Sequence, residues 1–366
     1  MSFTVHIDRT AWRDGLRATL GRRPGLIPVA KGNGYGLSNE RLALEAGALG
    51  CDTIAVGNRQ EAARVEGIFG GDVIVLNPWD PRTETGLTAA DGDLDGPDQD
   101  QDHLDPTRTI RTISSLIALE RSADADTARP ARYVLELATP LRRFGIPKAS
   151  MRLAQKMLSS EPEAFSIHLP MPRRHHSWVD WTVDHVTNAL EAGIKAPAVH
   201  ISHMDQADCE RVAAATGLTV RPRVGTDLWL GAAQDGAGIT VTGVVRAIHH
   251  VARGDRVGYH HTRVPGRGYM VVVDGGTSHG VGLEAPVLRR GGRRMVRQFG
   301  RTVLAALGYV RAPFLVEGQP TRYVEAPHAQ VSLIWLQDGR RVPEVGEELQ
   351  VRVRHTIIHP DRVILD

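Results

Sequence analysis

The chain has only two cysteines, Cys51 and Cys209, far apart and outside any CxxC pair, so neither a disulfide framework nor a thiolate metal site is expected and both read as buried thiols. It lacks charge of one dominant sign. Lys and Arg total 44 against 42 Asp and Glu, a net +2 that gives no field to gather nucleic acid or an anionic membrane. Small-molecule partners are favoured, with no nucleic acid and no membrane. No apolar run approaches the length of a membrane span, and the first residues lack a basic segment followed by an apolar core. A cytoplasmic location is the expectation.

What is present is ordinary for a folded protein: 42% hydrophobic and 23% charged residues. With 366 residues, two cores are more natural than one. From about residue 26 to 231 a short apolar, β-branched run repeatedly gives way to a polar junction and an amphipathic stretch, the signature of parallel βα units. The runs are 26–31, 53–58, 72–78, 109–114, 131–139, 164–171, 198–202 and 219–225. Helix signals support the alternation. Asn58 and Glu61 have capping-box spacing ahead of Ala62, Val65 and Phe69 on one face, and Gly217 is placed to close a helix that follows Asp205 and carries Val212.

Eight such units predict an α/β fold, a (β/α)8 TIM-type barrel over residues 1–235, whose reactive groups come from the C-terminal ends of the strands. An open doubly wound sheet is less favoured because the first strand lacks a GxGxxG turn. Beyond 236 the helical period fades, and strand-like runs at 239–245, 256–259, 269–273, 330–336, 348–353 and 362–365 predict a separate β domain over 236–366. The stretch 91–107 reads as a flexible acidic insertion, since seven aspartates fall in 91–105. Its Asp91, Asp93, Asp95, Gly96 and Asp102 approximate a calcium loop but lack flanking helices, so a solvated loop is expected. The basic, glycine-broken stretch 289–297 reads as a solvated loop.

One lysine stands out. The run Pro28-Val29-Ala30-Lys31-Gly32-Asn33-Gly34-Tyr35-Gly36 places Lys31 where an apolar strand ends. It is either a surface lysine or a lysine at the reactive end of a barrel strand, where partial desolvation lowers its pKa toward Schiff-base formation. The glycines permit close approach of a flat cofactor, and Tyr35 could direct its hydroxyl to the same ligand.

This run resembles the cofactor-lysine motif of the alanine racemase family, fold-type III pyridoxal-phosphate enzymes, which reads approximately VKANAYGHG. Further segments follow in the family's order. Thr139-Pro140-Leu141-Arg142-Arg143-Phe144-Gly145 resembles TGMNRLG, which implies that Arg143 contacts a substrate carboxylate. His168 matches a strand histidine, implied to orient Arg223. Arg223-Val224-Gly225-Thr226 resembles RPGI, implying that Arg223 faces the pyridine nitrogen and that Gly225 and Thr226 meet the phosphate. Arg256-Val257-Gly258-Tyr259 resembles VSYG, whose tyrosine is the second base and reaches a partner subunit in a head-to-tail homodimer. His260, His261 and Arg263 are the cationic neighbours expected to favour a phenolate there.

The resemblance therefore implies pyridoxal 5'-phosphate as cofactor and two-base racemisation of alanine or another small amino acid by Lys31 and Tyr259. The alternatives are a fold-type III lyase, such as a D-amino-acid dehydratase, aldolase or decarboxylase, and a non-catalytic pyridoxal-phosphate-binding protein. The resemblance is that of a divergent member. Val199-His200-Ile201-Ser202-His203-Met204 stands where the family has HAANS, making Ser202 the shifted candidate for the phosphate-binding serine. The family's MD pair falls at Ala326-Pro327, and its terminal tyrosine has no counterpart. His355, His359 and Asp361 are ligand types close in sequence but short of a full set, so no metal is expected.

Overall fold

The computed structural model describes residues 2–84, 104–124, 131–171, 177–231, 238–283 and 310–366. The aspartate-rich 91–103 and the basic 289–297 lie outside the described residues. Contacts divide the chain into two compact units, one of residues 14–34 and 38–231, the other of residues 1–13, 35–37 and 232–366.

The chain begins with β1, Phe3–Ile7, and then enters eight strands: β2 Ile27–Pro28, β3 Thr53–Val56, β4 Asp72–Val75, β5 Thr109–Ile113, β6 Tyr133–Glu136, β7 Ala164–His168, β8 Ala198–Ser202 and β9 Thr219–Val224. Each falls in an expected run. All pair in parallel in the order β2-β9-β8-β7-β6-β5-β4-β3, and a parallel bridge between Val29 and Ala55 closes the ring. This is the (β/α)8 barrel.

A parallel sheet covered by helices buries both faces, which is why these runs are continuously apolar. On the outer face Phe165, Ile167, Val199 and Ile201 pack with Val186, Ala189, Cys209 and Val212 of the helices Val179–Glu191 and Gln206–Thr216. Gly217 caps the second of these at φ +72, as its sequence suggests. Inside, Val134, Ala164 and Ala198 join Ile27, Ala55, Ile74 and Ile110 in an apolar plug. Side chains alternate along a strand, so two residues further on each strand also points inward. There the register aligns Glu136, Ser166 and His200. The barrel interior thus changes from apolar to polar toward its C-terminal end.

The second unit is one antiparallel-rich sheet. Its strands are β1 together with β10 Ile239–Val251, β13 Gly268–Asp274, β14 Arg311–Val316, β15 Gln319–Tyr323, β16 Val331–Gln337, β17 Glu348–Val351 and β18 Arg362–Leu365, and β11 Arg256–Val257 and β12 Thr262–Arg263 form a separate hairpin. The order is β13-β16-β15-β14-β17-β10-β1-β18, with β13 also pairing β10. The expected division at 235/236 placed the first residues with the barrel. The contacts instead group them with this sheet, because β1 runs antiparallel to β10 and parallel to β18 and satisfies the backbone groups of both. Cys51 departs from its expected burial and is half-buried, whereas Cys209 is buried.

Candidate active site

Lys31 lies just past β2, and its neighbours explain why the chain there is rich in glycine. Gly32 and Gly34 have φ +62 and +58, and a Cβ on Gly34 would stand 2.6 Å from the Asn39 nitrogen. The loop is tied to the next strand by Glu61. Its capping role is only half that suggested by its spacing: the Asn58 side chain accepts from the Glu61 N–H at 2.9 Å, but the Glu61 carboxylate accepts from Gly57 N at 2.7 Å and Gly32 N at 3.0 Å. A single buried acid therefore fixes the peptide following Lys31 against the end of β3.

The Lys31 side chain opens to solvent, yet crowding by protein atoms strips part of its hydration. That desolvation, followed by the charges of Arg143 and Arg223, lowers its pKa from the ordinary lysine value, with Glu61 acting in opposition. A lysine so placed is more readily the neutral, nucleophilic amine.

Arg143 comes from a tight return after β6. Ile146 N donates to the Glu136 carbonyl at 2.8 Å and Ala138 N to the Ile146 carbonyl at 3.0 Å. Gly145 makes the return possible: its φ is +112, and a Cβ would sit 2.4 Å from Ala138 N. The exposed Arg143 guanidinium lies over the Phe144 ring, 5.2 Å from its centroid.

Arg223, on β9, is buried, and its Nη1 donates to Ser166 Oγ at 2.9 Å and its Nη2 to the Ile167 carbonyl at 3.0 Å. Its Nε has no hydrogen-bond partner. Burial lowers its pKa to about 10. The expected orientation of Arg223 by His168 is not the arrangement present, since Ser166 and the Ile167 carbonyl hold the guanidinium. The His168 Nδ1 pairs with Ser202 Oγ at 3.0 Å. Desolvation, with the charges of Arg223 and Arg143, pushes His168 down to about 3, so its imidazole is neutral near pH 7.

Two members of this constellation were not anticipated. Glu136 is buried on β6, and desolvation raises its pKa despite the opposing charges of Arg223 and Arg143. An acid at the end of the otherwise apolar Tyr133-Val134-Leu135-Glu136 was its sequence signal. His203 follows β8 at φ +62, a left-handed conformation unusual for a non-glycine residue, with its ring edge-on to His168 at 5.2 Å. Gly225 precedes the single turn Thr226–Trp229, whose Leu228 and Trp229 N–H groups both donate to the Gly225 carbonyl at 3.0 Å.

The remaining candidates belong to the second unit. Tyr35 is buried at φ +59 and is grouped by its contacts with that unit. Tyr259 sits at the tip of the β11–β12 hairpin and is 79% exposed. Its ring neighbour is His328, at 4.4 Å between centroids. Asp361 accepts from Phe3 N at 2.9 Å and pairs with His279, a structural use of that carboxylate. Among the described residues no group of three or more His, Cys, Asp or Glu is arranged to hold a metal ion. Nor, among them, is any helix long and apolar enough to cross a membrane.

Set against known proteins, residues 13–204 match the alanine racemase N-terminal domain family. No curated protein matches the chain. Among solved structures, alanine racemase from Bartonella henselae, with covalently bound pyridoxal phosphate, superposes with a TM-score of 0.69 at 15% identity, covering 97% of this chain and 91% of that one. Alanine racemase from Streptomyces coelicolor A3(2) gives 0.67 at 17% identity, and that from D-cycloserine-producing Streptomyces lavendulae 0.67 at 19%, each covering 100% of this chain and 97% of the other. At such identities these structures attest the fold. The family match spans more than half of the chain, and the barrel with its following β domain agrees with it: the chain belongs to the alanine racemase family.

Proposed function

We propose that the protein is a pyridoxal-phosphate-dependent racemase of a small amino acid, with Lys31 and Tyr259 as its two bases. The observation that carries this reading is the setting of Lys31: a lysine at the C-terminal end of a barrel strand, its pKa lowered by desolvation, Arg143 and Arg223. The chain's donor set fits the cofactor. Arg223 Nε is a buried donor without a partner, suited to an acceptor such as a ring nitrogen, and Lys31 supplies the amine for covalent attachment. Ser202, Gly225, Thr226 and Tyr35 would complete the phosphate side, as the family resemblance implies.

Pyridoxal phosphate, when bound, supplies a conjugated ring that draws electrons from Cα and acidifies its hydrogen. Arg223 does not surrender its proton near neutral pH, so it would give a ring nitrogen a hydrogen bond without a full positive charge. This disfavours chemistry that needs long storage of charge in the ring and suits rapid removal and return of one proton. Arg143 would bind the substrate carboxylate through its planar fork. Lys31 Nζ moves the proton on one face of Cα, and Tyr259 Oη from a second copy of the chain moves it on the other. His168 stays neutral and holds Ser202.

The test joins cofactor and reaction. Borohydride reduction of protein incubated with pyridoxal phosphate should fix the cofactor mass to Lys31, and alanine or another small amino acid in deuterated water should gain deuterium at Cα in both enantiomers. Failure of attachment at Lys31 overturns the whole reading. Attachment with release of carbon dioxide, ammonia or an aldehyde, and no exchange in both enantiomers, assigns a lyase.

A further inference from the structure

Tyr259 presents a physical problem that its own hairpin does not solve. It is a large aromatic side chain, 79% exposed, on a hairpin of two-residue strands, with little of its own packing to fix its direction. A catalytic phenol must be held within a fraction of an ångström. The nearby residue 325 supplies the missing constraint. Glu325 has a side chain only 3% exposed, and its two oxygens accept from consecutive amides of the hairpin tip, Oε1 from Tyr259 N at 3.0 Å and Oε2 from His260 N at 3.2 Å.

The same carboxylate takes His328 Nε2 at 2.5 Å, and the His328 ring lies beside the Tyr259 ring, 4.4 Å away and tilted by 45°. One acid thus fixes both the peptide that carries the tyrosine and the imidazole against which its ring rests. The residue before the tyrosine is adapted to this clamp. Gly258 has φ +74, and a Cβ there would stand 2.1 Å from Glu325 Oε1. Charge agrees with the geometry, since the His328 contact and the two amides keep the Glu325 carboxyl below its ordinary value although burial opposes them.

We propose that Glu325 and His328 are positioning residues for Tyr259, the carboxylate fixing the hairpin tip through two amide donors and the imidazole setting the direction of the phenol ring. Neither was singled out by the sequence, and neither touches the reacting atoms in this scheme. The inference rests on Tyr259 as the second base, and its test separates the two claims.

In the full-length protein loaded with pyridoxal phosphate, Glu325→Gln keeps size and removes charge. Hydrogen exchange in peptides covering 257–261 should accelerate about tenfold or more, the loss expected for charge-assisted hydrogen bonds, while barrel peptides keep their protection. With alanine deuterated at Cα, the isotope effects of the two enantiomers should diverge, because only the proton step assigned to Tyr259 slows. A general structural loss would lower both rates and leave the isotope effects as they are. His328→Phe retains a ring and removes the nitrogen, and should give the same divergence to a smaller degree. Unchanged protection at the tip overturns the clamp, and faster exchange with undisturbed isotope effects overturns its positioning role. If the unaltered protein exchanges no Cα hydrogen, the racemase reading falls and the positioning role with it, and tip protection then reports only on the clamp.

Discussion

The barrel mouth and the β11–β12 hairpin present two different ways of holding the side chains proposed as the two bases. Around Lys31 the neighbours stand on strands of a closed sheet or, like Arg143, on the return that follows one, and the environment is cationic: Arg143 and Arg223 act on it, and His168 is neutral with a pKa of about 3. Around Tyr259 the chain is exposed, and the fixing contacts come from one carboxylate and one imidazole. The lesson is that chemistry and support are distributed oppositely. The lysine pKa is lowered by desolvation and neighbouring charge, whereas the tyrosine is exposed and is limited by the hydrogen bonds of its hairpin tip and by the His328 ring beside it.

The largest effect should follow from removing the amine. Lys31→Ala is expected to abolish borohydride-fixed cofactor and to reduce Cα exchange by about 10³-fold or more. Retained attachment at another lysine, found by mass mapping, would break the contrast between mouth and hairpin.

Next comes acid sensitivity of the mouth. His168 and the buried His200 both lie at about 3 in the folded chain against an ordinary value of 6.5, with desolvation the leading cause in each. Their folded values are depressed, so between 6.5 and about 3 only the unfolded chain takes up these protons. Their contribution to stability is complete above 6.5 and is lost as pH falls through that window. Denaturant titrations at neutral and acid pH should show this, and a His168→Gln, His200→Gln double variant should have the shallower slope. Equal slopes would mean that the mouth is as wet as the hairpin.

Glu136 works in the reverse sense and sharpens the same point. Its folded pKa is raised by burial, so its contribution is complete below the ordinary carboxyl value and is lost as pH rises to the raised one. Glu136→Gln should remove that segment of the stability profile, leaving the histidine window in place.

A smaller change is expected from Glu61→Ala, which strands the amides of Gly32 and Gly57 and should destabilise the fold by about 2 kcal/mol. It also removes the charge that raises the Lys31 pKa, so cofactor attachment should extend to lower pH. A loss of stability with unaltered attachment would separate the two functions of this acid.

The limits of sequence reading follow the same division. The eight barrel strands were legible because burial on both faces writes continuous apolar runs, and Lys31, Arg143, His168 and Arg223, singled out through the resemblance, are close enough to act on one another's charge. β1 was not, since its partners lie more than 200 residues away and its five residues carry no mark of them. β15 was obscured by Pro320, acceptable where β15 pairs at a hairpin end. Glu61 resembled a cap because its spacing is that of a cap, and only the fold shows its carboxylate reaching Gly32. Glu325 and His328 gave no sequence signal at all, because their meaning depends on a contact with a hairpin 66 residues earlier.

The smallest stability effect belongs to Tyr259 itself, and it is the most discriminating of the set. A side chain 79% exposed buries little apolar area, so Tyr259→Phe, which preserves the ring against His328 and removes only the hydroxyl, should alter unfolding free energy by less than about 0.5 kcal/mol. Its effect on Cα exchange should nonetheless be large and unequal between the enantiomers as isotope effects. A phenol that matters to the fold would show the opposite balance, with measurable destabilisation and symmetrical kinetics. The contrast with Glu325→Gln is then direct: one variant removes the hydroxyl and keeps the hairpin protected from exchange, the other keeps the hydroxyl and frees the hairpin. If both slow the same proton step, position and proton transfer at Tyr259 are separable properties, supplied by different residues of the same unit.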